Sequence, residues 1–180
     1  ISEQLSQWGI PHTTGWAGHG IVATLEGNGP GQTIALRADM DALPITEVNE
    51  VDYCSRNTGV MHACGHDAHT ASLLGALRIL WTLRTEWRGT IRAIFQPAEE
   101  KHPGGASLLI AEGVLENPRP ARIFGQHVLP TMPAGKVGFR EGACMASADE
   151  LYLTIEGKGG HGAMPHLTRD PVAISATLIT

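Results

Sequence analysis

Residues 61 to 69 read MHACGHDAH, which sets three histidines, one cysteine and one aspartate within nine residues. Imidazole, thiolate and carboxylate are the donors that hold zinc-like cations, and a catalytic centre of that kind keeps a position open for water. Cys64 and His66 flank a glycine, a spacing that lets both aim at one cation. A thiol at the start of a helix is expected to have a lowered pKa, which favours the thiolate ligand. The same residues also fit other chemistry. Cys64 beside a histidine could supply a thiolate that attacks an acyl carbon, or it could be a small buried residue in a polar loop. A structural zinc site ranks lower, because such sites usually take paired thiolates and the sequence has no CxxC pair.

What tips the balance is how many other polar motifs fall where elements end. Thr33 to Arg37 is a strand candidate that runs into ADMDALP, with Asp39 and Asp41. Thr90 to Phe95 is a strand running into QPAEE, with Glu99 and Glu100, and Ala121 to Phe124 is a strand running into GQHVLP, with His127. Ile21 to Leu25 is a further strand, and GNGPGQ after it is a turn by composition. His66 to about Leu83 has the period of a helix with one buried face, through Leu73, Leu74, Leu77, Leu80 and Trp81. Ala106 to about Glu112 is a short helix stopped by Gly113. Strands alternating with helices predict an α/β fold with a partly parallel sheet flanked by helices. In such sheets ligands bind beyond the carboxyl ends of the strands. One carboxylate of the Glu pair could bind a cation while the other works as a base on water, and His127 adds an imidazole. The nucleophile alternative leaves the Glu pair and His127 without a role. His62 and His69 are equally well read as partners that orient a ligand or as polar residues at a helix start.

Composition narrows the partners. Apolar residues make up 42 % of 180 residues, enough for a core, and the formal charge of -5 with no basic run argues against nucleic acid or anionic lipid. No apolar run reaches membrane-spanning length. Three cysteines, sparse and odd in number, point to a reducing, cytoplasmic setting rather than a disulfide framework. The opening ISEQLSQWG reads as a helix end, with Ile1, Leu5 and Trp8 on one face and Gly9 as its stop. DPVAISATLIT at the other end reads as a helix without a stop, so a piece of a longer protein is expected.

LRADMDALPI, MHACGHDAH, FQPAEE, GQHV and GKGGHGAMPH, in that order from about Thr33 to Thr180, resemble the dinuclear-metal aminoacylase and carboxypeptidase family. They look most like its amidohydrolase branch, which includes hippurate hydrolases, N-acyl-amino-acid amidohydrolases and indoleacetyl-amino-acid hydrolases. The resemblance implies a zinc-exopeptidase-like catalytic domain over residues 1–145 and the beginning of an inserted α/β lid, through which the family commonly dimerises, over residues 146–180. The hinge would lie in EGACMASADE, near residues 143 to 150, followed by a new strand over Leu151 to Glu156. Cys64, His66, Glu100 and His127 would be ligands to two divalent cations (zinc, manganese, nickel or cobalt). Glu99 would be the general base and later the acid, Asp41 would orient a metal-binding histidine, and His161 of the lid would polarise the scissile carbonyl. The substrate would be a small N-acyl amino acid, cut at its amide bond into a carboxylic acid and an amino acid. Two positions depart from the peptidase branches, which carry histidine at the position of Asp39 and a bridging aspartate at that of Cys64. The family takes a further histidine ligand from later in its catalytic domain, and no histidine follows His166 here. These 180 residues alone are therefore expected to be a poor enzyme, or an inactive metal-binding fragment.

Overall fold

The structure, a computed structural model, describes residues 1–147 and 149–179. Its contacts divide the chain into two compact units, residues 1–133 and 134–180.

The first unit is built on one five-stranded sheet. A short helix α1 (Ser2–Gln7) leads to β1 (His12–Trp16) and β2 (Gly20–Glu26); then come β3 (Thr33–Asp39), the long helix α2 (His66–Thr82), β4 (Thr90–Gln96), α3 (Gly105–Ala111) and β5 (Arg122–Gly125). The strand order is β1-β2-β4-β3-β5. β3 runs parallel to both β4 and β5, while β1, β2 and β4 pair antiparallel. The sheet is thus mixed, with its parallel half carrying the helical crossovers, as α/β connections require.

Side-chain alternation along the strands splits the core in two. Ala23, Leu25, Ala93 and Phe95 face Leu73 and Leu77 of α2 and Leu5 of α1. Val22, Ala35 and Ile94 pack with Leu109 of α3 and Val114. α2 and α3 therefore cover opposite faces. The connection from β3 leaves in one direction to β4 and returns across β3 to β5, which places a crevice at the carboxyl end of β3.

Most predicted elements lie within a residue or two of those observed. β1 was not predicted: HTTGW is polar, exposed along its middle and stabilised by pairing with β2 rather than by an apolar face.

In the second unit, a 3-10 turn (Pro165–Leu167) precedes α4 (Pro171–Ile179), and Lys158 bridges Arg169. The strand expected over Leu151 to Glu156 is absent, and Leu151, Tyr152 and Leu153 are exposed. Alternation specifies a face to bury, but a strand also needs a partner for its backbone groups, and among the described residues of this unit none pairs with that segment.

Candidate metal centre

Three parallel strands deliver their following loops to one edge of the sheet. Asp39 lies opposite Gln96 at the ends of β3 and β4, and the Met40 amide bonds the Gln96 carbonyl (2.9 Å), so the two strands stay together as they lead to Asp41 and to Glu99-Glu100. The Glu loop is pinned by the Gly105 amide on the Ala98 carbonyl (2.8 Å). A Cβ at Gly105 would collide with the Pro97 carbonyl, so only glycine lets α3 start this close to the loop. β5 ends at Gly125 and hands on to Gln126 and His127. α2 opens on His66 directly after Gly65, whose φ of 84° is the left-handed region.

His66 is the common member of three groups of donors. Cys64, His66 and His127 form one, His66, Glu99 and Glu100 a second, and Asp39, His66 and His69 a third, each with ligand atoms within 4.8 Å of one another. The His66 ring is 1 % exposed. Its Nδ1 donates to the Asp41 carbonyl (2.9 Å), with the Asp41 carboxylate Oδ1 at 3.5 Å. A carbonyl can only accept, so Nδ1 carries the proton and Nε2 carries the lone pair. That Nε2 is buried and has no hydrogen-bond partner. Carboxylate oxygens of Asp39, Glu99 and Glu100 stand 3.7, 3.8 and 3.9 Å from it, too far for hydrogen bonds. Asp41 also ties the Glu loop in place, since its Oδ2 accepts from the Glu100 amide (3.0 Å).

His127 is oriented in the same way. Its Nδ1 donates to the Val128 carbonyl (2.8 Å), which leaves Nε2 unprotonated and 3.4 Å from Cys64 Sγ. Behind these groups lies a buried polar network. Arg37 donates from Nη1 to Asp39 Oδ2 (2.7 Å) and from Nε to Gln96 Oε1 (2.8 Å), and His69 Nδ1 meets Asp39 Oδ1 at 2.6 Å.

Two acidities are displaced. Burial pushes the Asp39 carboxyl up, but the hydrogen bond from His69 and the charge of Arg37 outweigh it and hold Asp39 below its usual value. Burial pushes the Cys64 thiol up, and the Glu100 hydrogen bond and the charges of Glu100, Glu99 and Asp39 add to it. This reverses the expectation of a lowered thiol: burial and three carboxylates face Cys64.

The crevice thus gathers Asp41, Cys64, His66, Glu99, Glu100 and His127 from distant stretches of chain. His161 belongs to the second unit, exposed, with the Ala163 amide donating to its Nδ1 (3.1 Å). His62 is exposed, whereas His69 is fully buried in the network. The participation of Arg37 was not anticipated; Asp39 was expected at this crevice as a strand-end carboxylate, without a role of its own. For His69 a signal existed, since positions 66 and 69 share one face of α2.

The donor set suits a divalent cation. An imidazole lone pair buried without a partner is costly unless something binds it. A cation facing His66 Nε2 would supply that partner, would relieve the crowding of Glu99, Glu100 and Asp39, and would bring the Cys64 thiol down.

The sequence profile of peptidase family M20/M25/M40 matches residues 35–177. The chain belongs to that family. Among its M20 relatives, the N-acyl-L-amino acid amidohydrolase of Geobacillus stearothermophilus is 49 % identical over 160 residues, covering 89 % of this chain and 43 % of that protein. IAA-amino acid hydrolase ILR1-like 5 of Arabidopsis thaliana is 42 % identical over 179 residues, covering 99 % of this chain and 40 % of that protein. Among solved structures, the Bacillus subtilis YXEP protein, described as a dinuclear metal-binding peptidase of the M20 family, superposes with a TM-score of 0.73 at 42 % identity, over 78 % of this chain and 39 % of that one. The chain spans less than half the length of these M20 relatives. The α/β sheet with its flanking helices is the fold of M20 catalytic domains.

Proposed function

We propose that the protein carrying this chain hydrolyses the amide bond of N-acyl amino acids with the help of two divalent cations. The observation that carries this reading is the buried, unpartnered His66 Nε2 among Cys64, His127, Glu99 and Glu100. Cys64, His66, Glu100 and His127 would hold the cations. When bound, such cations supply Lewis acidity that makes water a usable nucleophile near neutral pH. Glu99 takes a proton from the attacking water and returns it to the leaving amine nitrogen, so the acyl carbon gains an oxygen as its bond to nitrogen breaks. Asp41 keeps His66 in the tautomer that turns Nε2 inward and anchors the loop that carries Glu100. His161 polarises the scissile carbonyl from a lid that begins near residue 146 and through which the whole protein dimerises. The names of two relatives, an N-acyl-L-amino acid amidohydrolase and an IAA-amino acid hydrolase, support the substrate class.

The Cys64–His127 approach of 3.4 Å favours a second reading, a cysteine nucleophile. The raised thiol argues against it, because the thiolate is the attacking species. The test uses the whole protein: metal analysis, then a screen of N-acyl amino acids before and after chelation. Activity lost on chelation and regained with divalent metal supports the metal-dependent reading. Activity that survives complete removal of metal but is lost in Cys64→Ser overturns it.

A further inference from the structure

His69 has no assigned part in the reaction, yet it is fully buried, stands edge-on to the His127 ring with centroids 4.6 Å apart, and is hydrogen-bonded at both ring nitrogens. Its Nε2 lies 2.9 Å from the Val128 amide. An amide nitrogen can only donate, so His69 Nε2 must carry the lone pair and Nδ1 the proton. The 2.6 Å contact to Asp39 Oδ1 is therefore donated by His69, and Asp39 accepts as a carboxylate. Arg37 fixes that carboxylate from its other oxygen (2.7 Å) and binds Gln96 at the end of β4. The Val128 carbonyl in turn accepts from His127 Nδ1 (2.8 Å), which turns His127 Nε2 toward Cys64 Sγ. Every proton in this sequence of bonds is dictated by a group that can play only one role.

We infer that Asp39 and His69 are a positioning pair: Asp39 sets the tautomer of His69, His69 holds the Val128 amide, and Val128 thereby aims His127 into the metal centre. Gly65 also lies against the Val128 side chain. A Cβ there would collide with Val128 Cγ2, so the start of α2 and the loop after β5 are in close contact. The pair links the ends of β3, β4 and β5, which arrive from separate parts of the sequence. It also means that His69, with both nitrogens engaged, is a support and not a reserve ligand. This inference rests on the metal-centred reading of the site.

Two substitutions separate support of His127 from mere satisfaction of the buried Asp39. An asparagine amide reaches about as far as Nδ1 of histidine, whereas a glutamine amide reaches about as far as Nε2. His69→Asn keeps a donor for Asp39 and loses the acceptor for Val128; His69→Gln keeps the acceptor for Val128. In the whole protein, binding of Co²⁺ is titrated by absorbance and competition, and amide exchange is read at Val128, with Leu73 and Leu77 of α2 as the folding control. The expected result is that His69→Asn weakens one of the two binding steps by about 10- to 100-fold, the range for partners behind a metal ligand, and loses protection at Val128 while Leu73 and Leu77 stay protected. His69→Gln is expected to stay within about threefold of wild type. The opposite order, with the Asn variant normal and the Gln variant weakened, overturns the inference. So does an Asn variant that binds both cations normally with Val128 unprotected. Wild-type protein that binds no divalent cation overturns the parent reading and this one together. Wild-type protein that binds two cations while both variants match it overturns this one alone. The acyl specificity does not enter the readout.

Discussion

His66 follows Gly65 and His161 follows Gly160, yet the two imidazoles are held differently. His66 is packed into the end of a sheet, bonded through Nδ1 to Asp41, with a lone pair facing carboxylates from two other strands. His161 is exposed, and the bond to its Nδ1 comes from Ala163, two residues along the same turn. A side chain fixed by groups far apart in sequence keeps its aim when any one contact fluctuates, because the sheet holds all of them. A side chain fixed by its own turn keeps only a local shape, and its aim depends on where that turn is carried. Under the proposed function this difference divides the labour: residues of the first unit would hold the cations and move the proton, and His161 would act only when the carbonyl is being polarised.

The sharpest test of that division lies within the Glu pair. Glu99→Gln should keep both cations and lose about 100- to 10,000-fold in kcat, the span for a positioned general base. Glu100→Gln should lose a cation. Metal content by mass analysis and single-substrate kinetics on the whole protein separate the two, and an assignment in which both variants bind and turn over normally is wrong.

His161→Ala should be the next largest effect. Losing one donor to a developing oxyanion costs about 100- to 1,000-fold in kcat. The comparison demands more than a slow enzyme: cation affinity must stay at the wild-type level, unlike that of His66→Ala, which should lose metal. A His161→Ala protein short of metal would break the division of labour.

Much of this arrangement was legible in the sequence because it is local or periodic. α2 carries leucines at helical spacing, and β2, β3 and β4 carry runs that bury both faces of a sheet, so their residues alone specify them. The site motifs were legible because each ends a strand or starts a helix. Strand order was not, and everything that depends on it was out of reach. Arg37, Asp39, His69 and Gln96 meet only because β3 lies beside β4 and under the start of α2. The upward shift of Cys64 comes first from burial and then from Glu100, 36 positions later in the numbering, and both arise only on folding. β1 and the segment after Glu150 fail in opposite senses for one reason: pairing partners, not alternation, decide whether a stretch becomes a strand.

A smaller effect is expected where the two unit-1 loops touch. Gly65→Ala puts a Cβ on a residue with φ of 84° and against Val128. The left-handed conformation alone costs about 1–2 kcal/mol for a residue other than glycine. The thermal midpoint should fall, and cation affinity should fall with it, because the same collision moves His127. A variant that loses stability with unchanged affinity would show that His127 keeps its aim without Val128.

The smallest effect should come from a local hold within the first unit itself. Glu47 lies in the loop after Asp41 and lines a cavity of about 320 Å³ with Tyr53, His62 and Asp67. Its Oε2 accepts from the Ser55 amide (2.6 Å) and its Oε1 from the Asn49 side chain (3.1 Å), and these bonds, the Ser55 amide first, hold its carboxyl below the usual 4.5. A depressed carboxyl contributes its stability above the unfolded value and loses it as pH falls through the lower folded value. Protection of the Ser55 amide, corrected for intrinsic exchange, should therefore be full at pH 7 and decline below about pH 4.5. In Glu47→Gln the protection should be lower at neutral pH and nearly flat with acid, while Leu73 and Leu77 keep theirs and kcat stays within about twofold, as surface changes usually allow. Glu47, like His161, is held by neighbours in sequence. If its removal instead unfolds the sheet or empties the cation site, local holds in this protein are as consequential as distant ones, and the contrast between His66 and His161 loses its meaning.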